Sequence, residues 1–395
     1  MAKNRWLLPD GIEELLPEQA ARLEQLRREL LDMYRSRGYQ LIIPPFIEYL
    51  ESLLTGTGHD LDLSTFKLID QLSGRMMGLR ADMTPQAARI DAHRLKGDAP
   101  RRLCYLGTVL HTLPTGFSGS RSPMQVGAEL FGHSGADSDV EILGLMLETL
   151  YLTGVRDVHV DLGHVGIFRG LARDAHFDAD QEAFLFDAMQ RKAMPDIETF
   201  LAALDLGADK RERMASLAGL NGGDEVLDEA RERLRGAGDA VTNALDNLAD
   251  IAELARRRLP AVPLYFDLAE LRGYQFHTGV VFAAFVADHG QEIARGGRYD
   301  RIGKDFGRAR PATGFSADLR TLMTLGARHW PTPPGVILAP AGDDAALLEA
   351  VAALRASGEA VVHALSEQTG DPREMGCDRR LVQVGGTWKV RNIDS

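Results

Sequence analysis

Apolar and polar positions alternate along the chain in ways that predict its elements. Leu23, Leu26, Leu30 and Tyr34 recur at helical spacing, which predicts an amphipathic helix over 17–37 with Gly38 as its stop. Tyr39 to Phe46 is apolar and interrupted by Pro44-Pro45, a pattern that suits an edge or interface strand. Phe66–Asp70 and Arg75–Arg80 flank Leu72-Ser73-Gly74 and predict a hairpin. Thr84-Pro85 predicts a helix start, with Thr84 as N-cap and Pro85 in the first helical position. Ser138-Asp139-Val140-Glu141 has the capping-box pattern of a helix that ends before Gly154.

From about 167 to 258 the chain turns to Ala, Leu, Asp and Arg with almost no strand signal, the pattern of a helical insertion. Strand-like sequence resumes at Val262–Asp267 and Val280–Val286 and continues to Thr313-Gly314-Phe315. Pro331, Pro333 and Pro334 predict a linker. The tail reads as strand Val336–Ala339, helix Asp343–Ala356, strand Ala360–Ala364 and a strand pair near Leu381–Val384 and Trp388–Val390. A segment of roughly 60 residues is small for independent stability and is expected to lean on the main body.

Composition narrows the class. With 395 residues, 45% hydrophobic and 26% charged, the chain has the mix of a soluble globular protein of two or three domains. Its apolar runs fall far short of the roughly 20 residues a membrane span needs, and its start has no apolar signal-peptide core. The net charge of −12 lowers the odds of nucleic-acid binding, which draws most of its affinity from basic residues. Two distant cysteines, Cys104 and Cys377, fit a reducing cytoplasm and no cysteine-based zinc site. His159, Asp161 and His164 lack a recognised metal-ligand spacing, and no metal or cofactor is expected.

The most informative stretch is Ser122 to Phe131. Met124, Val126, Ala128 and Leu130 form an apolar strand face, while Gln125, Gly127, Glu129 and Phe131 form the other. Gly127 leaves a gap between an amide and a carboxylate, room either for a small ligand or for an ordinary wet strand face. Asp82, just before the Thr84 helix, is either a site residue or a capping partner. Arg272, opening the glycine-punctuated turn Arg272 to Gly279, could hold a carboxylate or phosphate, or make a surface salt bridge. Gly297 to Lys304 fails as a P-loop, with wrong glycine spacing and Asp305 where Ser or Thr should follow Lys304.

Together these segments resemble the catalytic core of a class II aminoacyl-tRNA synthetase, specifically histidyl-tRNA synthetase. Tyr39 to Pro45 resembles the motif 1 dimer interface, Leu79 to Pro85 the segment of the histidine-binding acid, and Gly107 to Gly132 motif 2. Leu271 to Thr278 resembles the histidine-recognition turn, and Gly296 to Asp300 with Thr313 to Leu319 resembles motif 3. The resemblance implies an α+β fold, an antiparallel sheet flanked by helices. It divides the chain into core parts 1–166 and 261–330, a helical insertion 167–260 and a shortened α/β C-terminal domain 331–395. By the same resemblance, Asp82, Thr84 and Gln125 would surround an α-ammonium, Glu129 and His277 an imidazole, and Arg272 a carboxylate.

The nucleotide side departs from the synthetases. Their motif 2 arginine and glutamate fall here on His111 and Leu113; their motif 3 arginine falls on Thr321 and its glutamate neighbour on Arg320. Adenylation depends on fixed positive charge at the phosphates, and each lost donor typically costs about 2.7–4 kcal/mol. A kept amino-acid pocket beside a dismantled ATP site is similar to the synthetase-like regulatory subunits of ATP phosphoribosyltransferase. That resemblance implies a non-catalytic cytoplasmic chain acting in histidine biosynthesis, with L-histidine as allosteric effector. Its partner would be a short-form catalytic subunit, met by a homodimer of this chain within a larger hetero-oligomer, without nucleic acid or membrane. The rival expectations are a divergent histidine-activating ligase using Arg121 and Arg272 for phosphates, and a scaffold with an unused pocket.

Overall fold

The computed structural model describes residues 6–56, 59–114, 120–271, 273, 274, 276–287, 289–330 and 335–393. Its main sheet has nine strands among these residues. In spatial order they are Gln40–Leu41, Arg101–Thr108, Met124–Phe131, Ala312–Asp318, Ala294–Arg298, Val280–Phe285, His159–His164, Leu264–Asp267 and Asn221–Gly222. Pairing is antiparallel except at two places, where Gln40–Leu41 runs parallel to 101–108 and 159–164 runs parallel to 264–267. Val280–Phe285 is apolar throughout because both of its faces are covered, and its first five residues are buried.

Helix Pro17–Ser36 buries Leu23, Leu26, Leu30 and Tyr34, the four positions its periodicity marks. The Tyr34 hydroxyl pairs with that of Thr149, on helix Ala136–Thr153, at 2.9 Å. The predicted hairpin is present as Lys67–Ile69 against Met76–Leu79. Helices from Val165–Asp174 to Asp239–Arg258 fill most of the stretch before strand Leu264–Asp267, interrupted only by the two-residue strand Asn221–Gly222.

Three local expectations need correction. Tyr39 to Phe46 is not one strand: only Gln40 and Leu41 pair in register, and Pro44 and Pro45 have no N–H to extend the ladder. Ile47–Tyr49 then joins a separate three-stranded sheet with the hairpin. The 84–93 helix starts at Thr84, but the Thr84 hydroxyl caps nothing; Asp82 Oδ1 accepts from the Thr84 N–H at 2.9 Å instead. The 136–153 helix starts two residues ahead of Ser138, whose hydroxyl donates to Gly135 O at 2.7 Å from within the first turn. Its end at Gly154 matches expectation, with φ of +92° that a side chain would resist.

By contacts the chain divides into Met1–Arg328 and His329–Ser395. The second unit holds a four-stranded sheet, in order Val361–His363, Val336–Ala339, Cys377–Val384 and Thr387–Asn392. Leu347 and Val351 of helix Ala345–Ala356 pack on Ile337, Ala339 and Leu381. The predicted proline linker at 331–334 lies outside the described residues.

Candidate functional site

The site grows from strand Met124–Phe131. Every residue from Gln125 to Phe131 is buried, so the expected wet face is absent. Its polar side instead meets a cavity of about 430 Å³. The Gly127 gap is also not open. Tyr105, its register partner, fills it: a Cβ on residue 127 would lie 2.6 Å from the Tyr105 hydroxyl oxygen and 2.5 Å from Phe315 O. Glycine here is therefore what lets a tyrosine lie across the strand. Gly314, opposite Glu129 on the other neighbour, plays a matching part, since a Cβ there would overlap the Glu129 carboxylate.

Glu129 stands at the cavity wall with 1% exposure. Tyr105 donates to its Oε1 at 2.8 Å and Tyr299 donates to its Oε2. Burial pushes its pKa from 4.5 up to about 8, against the opposing pull of the two tyrosine hydroxyls and with help from the Asp82 charge. The cavity wall thus presents a carboxyl group that a cation could draw into its ionised form. Thr84 extends the network, its hydroxyl 3.0 Å from that of Tyr105.

A second carboxylate sits at a separate point. Asp82 Oδ1 accepts from the Gln125 amide at 2.7 Å as well as from Thr84 N–H. The other end of that amide accepts from Met83 N–H at 2.9 Å, which fixes its orientation. Gln125 is thus a brace for the acid rather than a cavity-lining group.

His277 lines the same cavity from the turn before strand Val280–Phe285. Its Nδ1 faces the Arg298 carbonyl at 3.3 Å. A carbonyl can only accept, so Nδ1 carries the proton and Nε2 remains an acceptor. Burial pulls its pKa down to about 4, so the ring is neutral at physiological pH. The turn is held from behind by Arg169, which donates to Tyr274 O at 2.7 Å and His277 O at 3.3 Å and covers the Tyr274 ring.

Of the residues marked by the sequence, the fold brings Asp82, Thr84, Glu129 and His277 to one cavity, with Gln125 buttressing Asp82. Arg272 lies outside the described residues. Sequence reasoning missed Tyr105 and Tyr299, the two donors to Glu129, and Phe186 and Tyr274 on the cavity rim. Tyr299 could have been found, since it sits inside the quoted Gly296 to Asp300 motif. Phe186 carries no local signal, because it comes from helix Ala179–Gln190, far away in sequence.

Of the nucleotide-side positions, His111, Thr321 and Arg320 are engaged in local hydrogen bonds and Leu113 is not. His111 Nε2 lies 2.9 Å from Ala81 O, and Leu113 is 70% exposed. The Thr321 hydroxyl donates to Asp318 Oδ2 at 2.7 Å. Arg121 donates to the carbonyls of His111 and Asp10, and Arg320 to those of Ser122 and Glu13. These two guanidiniums therefore tie down the chain's own N-terminal segment.

Comparison with known proteins fits this geometry. The histidyl-tRNA synthetase family profile matches residues 11–322, and the profile described as ATP phosphoribosyltransferase subunit HisZ C-terminal domain matches 334–391. An ATP phosphoribosyltransferase regulatory subunit from Thioalkalivibrio sulfidiphilus is 62% identical over 391 residues, covering 99% of both chains. The chain belongs to the ATP phosphoribosyltransferase regulatory subunits. A second member, from Pseudomonas syringae pv. syringae, is 57% identical over 393 residues, covering 99% of each. Among solved structures, one titled ATP phosphoribosyltransferase regulatory subunit/histidyl-tRNA synthetase, from Bacillus halodurans, superposes with a TM-score of 0.82 at 27% identity. It covers 94% of this chain and is itself covered to 96%. Histidyl-tRNA synthetase from Nostoc, at 18% identity and TM-score 0.74, covers 96% of this chain and 91% of its own, and supports the class II synthetase-like fold alone. No helix among the described residues is long and apolar enough to cross a membrane.

Proposed function

We propose that this chain is the non-catalytic regulatory partner of a short-form ATP phosphoribosyltransferase catalytic subunit, and that its cavity binds L-histidine as feedback inhibitor of histidine biosynthesis. The observation that carries the reading is the buried Glu129, clasped by Tyr105 and Tyr299 with Asp82 at a separate point of the same cavity. Histidine is a zwitterion with a basic ring, and it needs two acceptors of positive charge set apart. Asp82, braced by Gln125, and Thr84 would serve the α-ammonium, Glu129 and His277 the imidazole, and Arg272 the carboxylate. An imidazole with an ordinary pKa of about 6.5 and a carboxyl at about 8 share one proton at neutral pH. In the free protein that proton sits on the carboxyl; contact with the ring lowers the carboxyl's pKa and raises the ring's, and the bound pair becomes ionic once that order is reversed.

Regulation requires that histidine bind two states of the complex unequally, with a coupling of typically about 1–3 kcal/mol. The assembly is read as a homodimer of this chain within a larger hetero-oligomer in the cytoplasm. Residues 167–260 are read as a helical insertion between core parts 1–166 and 261–330, with 331–395 a shortened C-terminal domain. The ligase reading, which puts Arg121 and Arg272 on the phosphates, is disfavoured by the engagement of Arg121 with the main-chain carbonyls of His111 and Asp10. Calorimetric titration of L-histidine into the purified chain tests the pocket. Glu129→Gln should weaken binding by about 10–100-fold, the loss of one charge-assisted hydrogen bond. Unchanged affinity in both Glu129→Gln and Arg272→Ala would displace histidine from this cavity. Histidine-dependent exchange of pyrophosphate into ATP would instead show a working ligase.

A further inference from the structure

A second cavity, of about 280 Å³, opens behind the recognition turn, between helices Val165–Asp174 and Asp239–Arg258. Three arginines line it: Arg169, Arg173 and Arg301. Among the described residues no carboxylate lines it. Of the acids nearest in sequence, Asp174 pairs with Lys210 at 3.3 Å and Asp300 with Arg298 at 3.2 Å, while Asp300 Oδ2 also accepts from the lining Thr278 hydroxyl at 3.2 Å; Asp239, beside Ala240, forms no ion pair among the described residues. Arg169 faces carbonyl groups and the Tyr274 ring and has no carboxylate partner among the described residues. The side chains of Arg173 and Arg301 make no hydrogen bond or ion pair among those residues either. In a chain of net charge −12, whose other arginines mostly find an acid, three arginines around one cavity without a carboxylate partner stand apart.

The rest of the lining suits the same ligand. Asn243 adds an amide, and buried His164 contributes a polar ring, fixed by accepting from Gly166 N–H at 3.1 Å; the Thr278 hydroxyl is taken up by Asp300, donating to its Oδ2 at 3.2 Å and accepting from its N–H at 3.0 Å. Gly166 and Gly170 share their helix with Arg169 and Arg173, and a Cβ at Gly170 would lie 2.7 Å from a Val241 methyl, so glycine there lets helix Asp239–Arg258 pack closely beside the arginines. Guanidinium groups with free N–H forks match the oxygens of phosphate in charge and geometry. Such a site is too polar for an apolar ligand and too positive for a metal ion.

We propose that this cavity binds a phosphate-class anion, either an inorganic diphosphate or the phosphate group of a small sugar ester. Arg169 gives the site a connection to the first cavity, because it also holds the carbonyls of Tyr274 and His277. Anion binding itself needs no histidine and is measured without it, so it stands or falls separately from the proposed function.

The test is calorimetric titration of the full-length chain at about 0.1 M salt with three probes: inorganic pyrophosphate, inorganic phosphate and ribose 5-phosphate. Saturable binding of one equivalent is expected for at least one probe, and which probe binds tightest separates free anion from sugar ester. The double variant Arg173→Gln/Arg301→Gln should bind at least tenfold more weakly with an unchanged melting temperature, since neither side chain holds the fold together. Arg173→Lys/Arg301→Lys should retain part of the affinity. A control, Arg28→Gln/Arg35→Gln, removes the same charge from an exposed helix and should leave binding intact. No saturable binding by any probe at millimolar concentration, or equal weakening in the control, would overturn the proposal.

Discussion

Replacing Glu129 by glutamine should change how the histidine-free protein responds to pH. The fold raises this carboxyl from 4.5 to about 8, chiefly because burial removes water from the charged form. At about 1.4 kcal/mol per pH unit, complete ionisation destabilises the ligand-free fold by on the order of 4–5 kcal/mol. Below pH 4.5 the group is protonated in folded and unfolded chains alike, and no penalty exists. As pH rises the unfolded chain ionises first, so folded stability falls steadily until about pH 8 and levels off above it. The amide in Glu129→Gln has no proton to lose. Whatever fixed offset that amide brings, the stability of the wild type should decline relative to the variant by several kcal/mol between pH 5 and pH 8.5. Differential scanning calorimetry at half-unit pH steps gives both curves. Saturating L-histidine should flatten the wild-type decline, because a bound cation stabilises the ionised carboxylate. Parallel wild-type and variant profiles without ligand would refute the account of Glu129 as a strained, buried acid.

Three other outcomes follow from the same geometry. Gly127→Ala places a methyl group 2.5 Å from Phe315 O and 2.6 Å from the Tyr105 hydroxyl; it should destabilise by about 1–3 kcal/mol and weaken histidine binding, checked by urea denaturation and calorimetry. Arg298 and Asp139 form an ion pair at 2.9 Å with both side chains under 10% exposed, so Arg298→Ala should cost about 3–5 kcal/mol in the same denaturation assay. His277 has its pKa pulled from 6.5 down to about 4, so the stability it permits is full above pH 6.5 and lost as pH falls through 4. His277→Gln should therefore lose less stability than wild type on acidification between those values.

Elements whose signal is local were legible from sequence. The Leu23, Leu26, Leu30 and Tyr34 stripe marks helix Pro17–Ser36 because one face must be buried. The same logic located strand Met124–Phe131 and put Gln125 and Glu129 on one side of it. What could not be read was what lay across that side. Alternation shows which residues share a face, and an opposing face from distant strands and helices leaves no mark in the period. Gly127 therefore looked like an opening, although Tyr105 from the neighbouring strand closes it. Phe186 on the rim, and Arg169 behind the recognition turn, come from helices distant in sequence. Helix starts were misplaced for a related reason: Thr84 and Ser138 are good capping types, yet one hydroxyl turns to Tyr105 and the other sits within the first turn of its helix.

The central claim is that histidine in the Glu129 cavity governs a catalytic partner. The most direct measurement is the rate of a short-form ATP phosphoribosyltransferase catalytic subunit, reconstituted with this chain, against L-histidine concentration. The wild-type complex should be progressively inhibited, and the Glu129→Gln complex should assemble normally but need at least tenfold more histidine. A fully assembled wild-type complex whose rate ignores histidine, or a variant inhibited at the same concentration, would contradict the account.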